Sequence, residues 1–300
     1  MASAAVNRRA ILLMLGAMGL FVINDALVKL ARETYPLGQV LMLRGSFAIA
    51  IALALVFILH DGPHLRLAFR PYVLLRGFVE AAVALLFVWA LGLMPIGNLT
   101  AIMQASPILI VVLAVLFRIE AIGWRRMVAI AVGFCGVLLI VRPSTSGFDH
   151  VSLIALAAAV LVAARDLLTR KIGSDAPSSV VSLTSTAAVA ACAIVLMPFE
   201  RWEPMWRVET VYLMGAALLV TLGSLLVIAA YRQGDVGVVS GYRYSIAVFA
   251  VAVGYLVWGD IPDLLTTLGI VTIIGSGLYT MHRQRVRPDS RLRLSSGGQS

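Results

Sequence analysis

Ten apolar runs, each close to 20 residues long, follow one another along this chain with only short polar breaks between them. They fall at 10–30, 37–59, 72–93, 95–117, 124–142, 150–170, 178–198, 209–231, 236–258 and 264–282. A helix rising 1.5 Å per residue needs about 20 residues to cross roughly 30 Å of hydrocarbon. In lipid, backbone N–H and C=O groups have no water to turn to, so such runs fold as helices. An all-α integral membrane protein with ten transmembrane helices is expected. Composition agrees: 61% of the 300 residues are apolar and 13% charged, with mean hydropathy +0.96. A soluble domain has roughly 45–50% and 25%, and no soluble core of this length hides so much apolar surface. The run ends carry suitable signals. Pro95 opens one helix, Pro143 follows another, and Trp124, Trp202, Trp206 and Trp258 sit where interfaces are expected. Pro107 removes one hydrogen bond inside the fourth run, which predicts a bend beside Gln104 and Ser106.

The net charge is +9, but the basic residues stand singly between runs or gather in the C-terminal tail. No soluble domain with a basic face and interleaved aromatics is expected, so nucleic acid is not expected as a partner. The charges instead report topology. With the N-terminus in the cytoplasm, fifteen Lys and Arg lie in inside segments, four in outside segments and five within runs. Both termini are therefore expected inside. Arg8-Arg9 before the first run are similar to a twin-arginine signal, but the run contains Asp25 and Lys29 and lacks a small-residue cleavage site. A retained first helix is expected. Cys135 and Cys192 lie inside apolar runs, and His60, His64, His150 and His282 are scattered over loops and helix ends. No metal site, cofactor or catalytic cluster is expected.

A shift of about 140 residues superposes the two halves. Asn24-Asp25-Ala-Leu-Val-Lys29 falls on Arg165-Asp166-Leu-Leu-Thr-Arg170, and Pro95-Ile-Gly97-x-x-x-Ala101 falls on Asp235-Val-Gly237-x-x-x-Gly241. Glu120 falls on Asp260, and Gly136 on Gly277. Five runs per half is an odd number, so the second half enters the membrane from the opposite side. The expected organisation is an inverted repeat, 1–145 and 146–283, followed by a disordered basic cytoplasmic tail at 284–300.

Leu93-Met-Pro95, then Ala101, Ser106-Pro107 and Glu120, resemble the EamA-domain pattern of the drug/metabolite transporter superfamily. Asn24-Asp25-Ala-Leu-Val-Lys29, Tyr35-Pro36-x-Gly38-Gln39-Val40 and Arg44 resemble bacterial members that include riboflavin and S-adenosylmethionine uptake proteins. The resemblance covers nearly the whole chain and implies a multi-pass transporter of the cell inner membrane. The second half departs from the pattern, with Asp235 and Ala247 where the first has Pro95 and Pro107.

Once the run-end residues Arg125, Arg126, Arg142, Arg170 and Glu209 are assigned to the flanking segments, eight charges fall within runs: Asp25, Lys29, Arg44, Arg76, Glu80, Arg165, Asp166 and Arg243. Each costs about 2.5–3.5 kcal/mol on insertion scales and needs a cavity or a partner. Asp25 and Lys29 are four apart and can pair, as can Asp166 and Arg170. The repeat places these pairs near opposite membrane faces, so they are candidates for outer and inner gates; the alternative is Lys29 and Arg170 snorkelling to head groups. Arg76 and Glu80 form a third pair, with Glu80 either a proton-coupling group or one half of a static ion pair, and Arg165 joins this gating and coupling set. Tyr242-Arg243-Tyr244 is the most substrate-like stretch, because a guanidinium suits an anion and tyrosine faces suit a flat ring. Tyr244 aligns with Gln104, and these four residues with Asn24 and Trp89 make the candidate substrate cavity, although Trp89 is equally suited to face lipid.

The expected function is secondary transport of a small metabolite by alternating access, of vitamin or nucleotide-like uptake type, with export of amino acids, other metabolites or drugs as the alternative. No P-loop is present, so direct ATP drive is not expected. The five positive and three negative charges within runs favour an anionic or zwitterionic substrate. A membrane enzyme lacks its clustered acid, base or nucleophile here, and a scaffold has no use for buried charge. Expected partners are the substrate, the bilayer and a coupling proton, for a monomer or homodimer.

Overall fold

The computed structural model describes residues 4–116, 124–141, 150–172, 176–233 and 239–286. The described residues are helical, with no strand. The helices are α1 (Ala4–Arg32), α2 (Leu37–Ile58), α3 (Pro71–Leu91), α4 (Ile96–Met103), α5 (Ser106–Leu116) and α6 (Trp124–Val141). There follow α7 (His150–Ile172), α8 (Ser178–Leu196), α9 (Val208–Gln233), α10 (Ser245–Trp258) and α11 (Leu264–Val286). Tighter 3₁₀ segments cover Gly62–Phe69, Met197–Phe199 and Ser240–Tyr244. Among the described residues, seven helices are long and apolar enough to cross a membrane, and three shorter apolar stretches, Ile96–Ile110, Ala131–Ile140 and Leu264–Ser276, occupy the other three runs. Large apolar side chains such as Phe57 and Leu256 face outward, as lipid requires.

The fourth run is not one helix. It breaks at Gln104–Ala105 between α4 and α5. The Gln104 amide turns back to the carbonyls of Thr100 and Ala101, and the amides of Ile108 and Leu109 both use the Ala105 carbonyl. Pro107 explains the restart: a proline has no N–H to extend the preceding helix, but fits the first turn of a new one. The ninth run changes geometry at the equivalent register without a proline. Its 3₁₀ turn ends at Tyr244 and α10 starts at Ser245, whose hydroxyl donates to the Tyr242 carbonyl at 2.7 Å. At the C-terminus α11 runs to Val286, so the expected tail begins as helix; residues 287–300 lie outside the described residues.

The halves interlock helix by helix. α2 packs along α8, with Gly38 against Leu196 and Glu200, and Gly45 against Ala190. α6 packs along α11, with Gly136 against Gly269 and Ile273, and Gly133 against Ser276. α4 packs against α10, with Ile96 at Gly254 and Gly97 at Val251. In each pair the numbering descends on one helix as it rises on the other, so helices occupying the same place in each half run antiparallel. α1 lies antiparallel to α9, with Phe21 at Gly223 and Leu27 at Gly215. α3 lies antiparallel to α7 through contacts of Arg76 with Thr169 and Glu80 with Arg165. Exchanging the halves turns the first of these two contacts into the second.

The α6–α11 seam is the tightest. A Cβ on Gly269 would lie 2.7 Å from the Gly136 carbonyl oxygen and 2.6 Å from an Ile140 carbon. Gly269→Val is therefore expected to destabilise the fold by about 1–3 kcal/mol through overpacking, read as an earlier thermal transition in detergent. Gly275→Ala on the same helix meets no atom within 4 Å and is expected to melt like the parent; equal melting of the two variants would overturn the assigned seam.

Candidate functional site

The charged groups within the bundle sort into three sets. The first lies between α3, α7 and α8. Arg165 donates to one Asp166 carboxylate oxygen from Nε at 3.0 Å and from Nη2 at 2.8 Å, and its Nη1 reaches both Glu80 oxygens at 3.3 Å. Arg76 pairs with Glu80 at 3.6 Å, the expected i,i+4 pair, and donates to the hydroxyls of Thr169 (2.9 Å) and Ser185. Glu80 is thus bracketed by two guanidiniums, an arrangement suited to a static ion pair. Asp166 takes Arg165 as its partner, while the Arg170 side chain lies outside the described residues.

The second set joins α1 to α2. Asn24 is buried and donates its amide N–H to Asp25 at 2.8 Å. Arg44 Nη2 reaches the Asn24 carbonyl oxygen at 3.4 Å, while Arg44 Nε is buried with no partner. Arg44 lies within electrostatic reach of Asp25 and Glu80 but makes an ion pair with neither. The two sets thus run on into each other. Asp25 and Arg44 each sit seven residues from the turn joining α1 to α2, roughly 10 Å deep. Glu80 is near the middle of α3, and Asp166 is six residues from the far end of α7.

The third set closes the end of the bundle where α1, α3, α8 and α10 finish. The expected Asp25–Lys29 pair is not formed. Lys29 donates instead to the Met94 carbonyl at 2.8 Å, lies 4.0 Å from Asp260 and sits 4.7 Å over the Trp258 ring. Trp258 Nε1 donates to Glu33 at 2.7 Å. The reason is placement: Lys29 lies one turn from the end of α1, where a stripped carbonyl, a carboxylate and an aromatic face converge, whereas Asp25 is one turn deeper beside Asn24. Around this cluster the 199–207 segment clasps the start of α2. Glu200 accepts the Gly38 amide at 2.8 and 3.0 Å, and the fully buried Gln39 exchanges hydrogen bonds with the Glu203 backbone at 2.7 and 2.9 Å. The Tyr35 hydroxyl donates to the Pro204 carbonyl at 3.1 Å.

The other candidate cavity residues lie on α3, at the end of α4 and on the Ser240–Tyr244 turn. Tyr242 and Arg243 are exposed, while Tyr244 is buried. Gln104 caps the end of α4, and Trp89 packs against the main core. No hydrogen bond among the described residues joins Gln104 or Tyr244 to Asn24, Asp25 or Arg44. Glu120, Asp235 and Gly237 lie outside the described residues. Sequence reasoning counted Arg44 among the costly charges but assigned it no role; a lone arginine has no i,i+4 partner to signal one. Its charge also changes the substrate argument. Lys29 is matched by Asp260 and Arg243 is exposed, so three arginines and three carboxylates remain inside and the excess of +2 disappears.

The sequence model of the EamA-like transporter family matches residues 8–142 and again 151–281. The chain belongs to the EamA-like transporter family. The two matches divide this transporter between α6 and α7, where the helix packing divides it. Its relatives include an S-adenosylmethionine uptake transporter of Rickettsia bellii, 27% identical and covering 80% of this chain and 82% of its own length. A pseudopaline exporter of Pseudomonas aeruginosa is 26% identical over 89% of this chain and 94% of its own. A riboflavin transporter of Vibrio cholerae is 27% identical over 85% and 86%. A solved crystal structure matches 93% of this EamA-like transporter and 99% of its own chain with a TM-score of 0.63 at 19% identity, which shows a shared fold. Family and relatives are transporters rather than enzymes, and they support transport of small metabolites.

Proposed function

We propose that this EamA-like transporter carries its metabolite across the inner membrane by alternating access, through ten spans arranged as two inverted five-helix repeats, 1–145 and 146–283. The antiparallel pairing of matched helices carries this reading, because units that pack as opposed copies can trade conformations and so move the opening from one face to the other. The bias of Lys and Arg supports cytoplasmic termini, with the basic tail at 284–300 lying against anionic lipid. On that orientation the latched face is the outer one, and Lys29 with Asp260 serves as its gate. Asp166 with Arg170 belongs to the inner gate region.

The cargo is a small polar or amphiphilic metabolite of the S-adenosylmethionine or riboflavin type, taken up. Export is the second reading, favoured by the similarity to the pseudopaline exporter over 89% of this chain. Counterflow in proteoliposomes tests the mechanism. Preloading with unlabelled S-adenosylmethionine or riboflavin is expected to accelerate entry of the same labelled compound, since the loaded carrier returns faster than the empty one. Entry of both compounds that neither saturates nor responds to preloading would rule out alternating access.

A further inference from the structure

The Asn24–Asp25–Arg44 group is less complete than the Arg76–Glu80–Arg165–Asp166 cluster beside it. Arg165 makes two bonds to Asp166 and two to Glu80. Arg76 has a carboxylate and two hydroxyls. Arg44 has one long bond, 3.4 Å to the Asn24 carbonyl oxygen, and its buried Nε has none. A buried guanidinium nitrogen without a partner is costly, and an oppositely charged group on the adjoining helix should relieve it by contact. Here contact does not occur. The Asn24 amide stands between the two, accepting from Arg44 and donating to Asp25 at 2.8 Å. The arrangement holds a cation and an anion apart inside the bundle, with donor capacity to spare on one and acceptor capacity on the other.

We propose that Arg44 and Asp25 form a substrate site for the α-amino-acid group of a zwitterionic metabolite. Arg44 takes the carboxylate on its guanidinium and Asp25 takes the ammonium. The assignment deepens the transporter reading and rests on it. Charge decides the class. Glu80 is already matched by Arg76 and Arg165, so the site holds one free positive and one free negative group. A phosphate dianion would leave Asp25 facing it with a single guanidinium as compensation. A neutral ring would leave Arg44 Nε buried and unmet. An amino-acid group satisfies both charges at once, and a guanidinium binds a carboxylate with two parallel bonds. Asn24 is the positioning residue that sets the gap.

Equilibrium binding to the full chain in lipid nanodiscs tests the site, with L-methionine and S-adenosylmethionine as amino-acid probes. Decarboxylated S-adenosylmethionine and riboflavin are the controls. At least one amino-acid probe is expected to bind. Arg44→Gln should weaken it at least tenfold while leaving decarboxylated S-adenosylmethionine unaffected, because that compound lacks the group Arg44 reads. Asp25→Asn should weaken both. The double variant should bind amino-acid probes more weakly than either single variant; recovery toward the parent would show an internal ion pair and overturn the site. Arg44→Lys keeps the charge but loses the fork, so it should bind more weakly than the parent and more tightly than Arg44→Gln. It carries the carboxylate test if Arg44→Gln fails to fold. Binding of riboflavin alone, or of no amino-acid probe, overturns the site. Riboflavin counterflow that survives every variant would do the same while leaving alternating access standing, whereas absence of counterflow in the parent for every compound counts against alternating access itself.

Discussion

Glu80→Gln is expected to lower the melting temperature of the detergent-purified protein more than any other single neutralisation inside the bundle, and a second change, Arg165→Gln, to restore part of the loss. Glu80 is the only carboxylate shared by two described arginines, at 3.6 Å from Arg76 and 3.3 Å from Arg165. The amide keeps its shape and removes its charge. Arg76 and Arg165 would then face each other with only Asp166 as compensation, on α3 and α7. Truncating one partner of a buried ion pair costs about 3–5 kcal/mol. Side-chain exposures of 16–25% for Arg76, Glu80 and Arg165 argue for the lower end. Removing the orphaned guanidinium as well leaves neutral groups that can hydrogen-bond, which is why the double variant recovers. Unchanged melting of Glu80→Gln would mean that water already solvates both arginines, and the cluster would lose its structural standing.

Lys29→Met is expected to open the latched end. The side chain keeps its bulk but gives up the Met94 carbonyl, the Asp260 carboxylate and the Trp258 face together. An ion pair at 4.0 Å that water still reaches contributes about 1 kcal/mol, and a cation over an aromatic face about 0.5–1. Their loss shifts a two-state equilibrium roughly tenfold. The readout is the rate at which a cysteine placed at Asn24, with Cys135 and Cys192 replaced by serine, reacts with a membrane-impermeant maleimide added to intact cells. Asn24 is buried beneath the latch, so faster labelling reports opening of that end. Asp260→Asn should act in the same direction and more weakly, since it leaves the carbonyl and the ring in place. Equal labelling of parent and Lys29→Met would remove the gate assignment.

Much of the fold was readable because lipid imposes one rule, backbone pairing within each segment, and run length expresses it directly. The break beside Gln104 was readable because Pro107 lies in the run. The matching break at Tyr244 was not, since no proline marks it. Pairing within one helix was readable only where nothing competed. Arg76 met Glu80 four residues away, but Arg165 came from another helix to share it. Lys29 had Asp25 at the same spacing and turned instead to Asp260, 231 positions along the chain. Spacing says which groups can meet along one helix and nothing about what folds up against its end. Arg44 is the same failure in reverse: its significance lies in contacts it lacks, and those exist only in three dimensions.

The matched packing of the two halves has an energetic corollary. If the halves exchange roles, the interface between α1 and α9 is traded for its likeness between α3 and α7, and most contact energy cancels between the two states. What survives the cancellation is whatever one half has and the other lacks. α9 carries no charged residue between Glu209 and Arg232, so the Arg76–Glu80 pair of α3 has no twin. The resting orientation is then an equilibrium constant written in a few unmatched side chains, and substitutions at those positions retune it while leaving the shared architecture untouched.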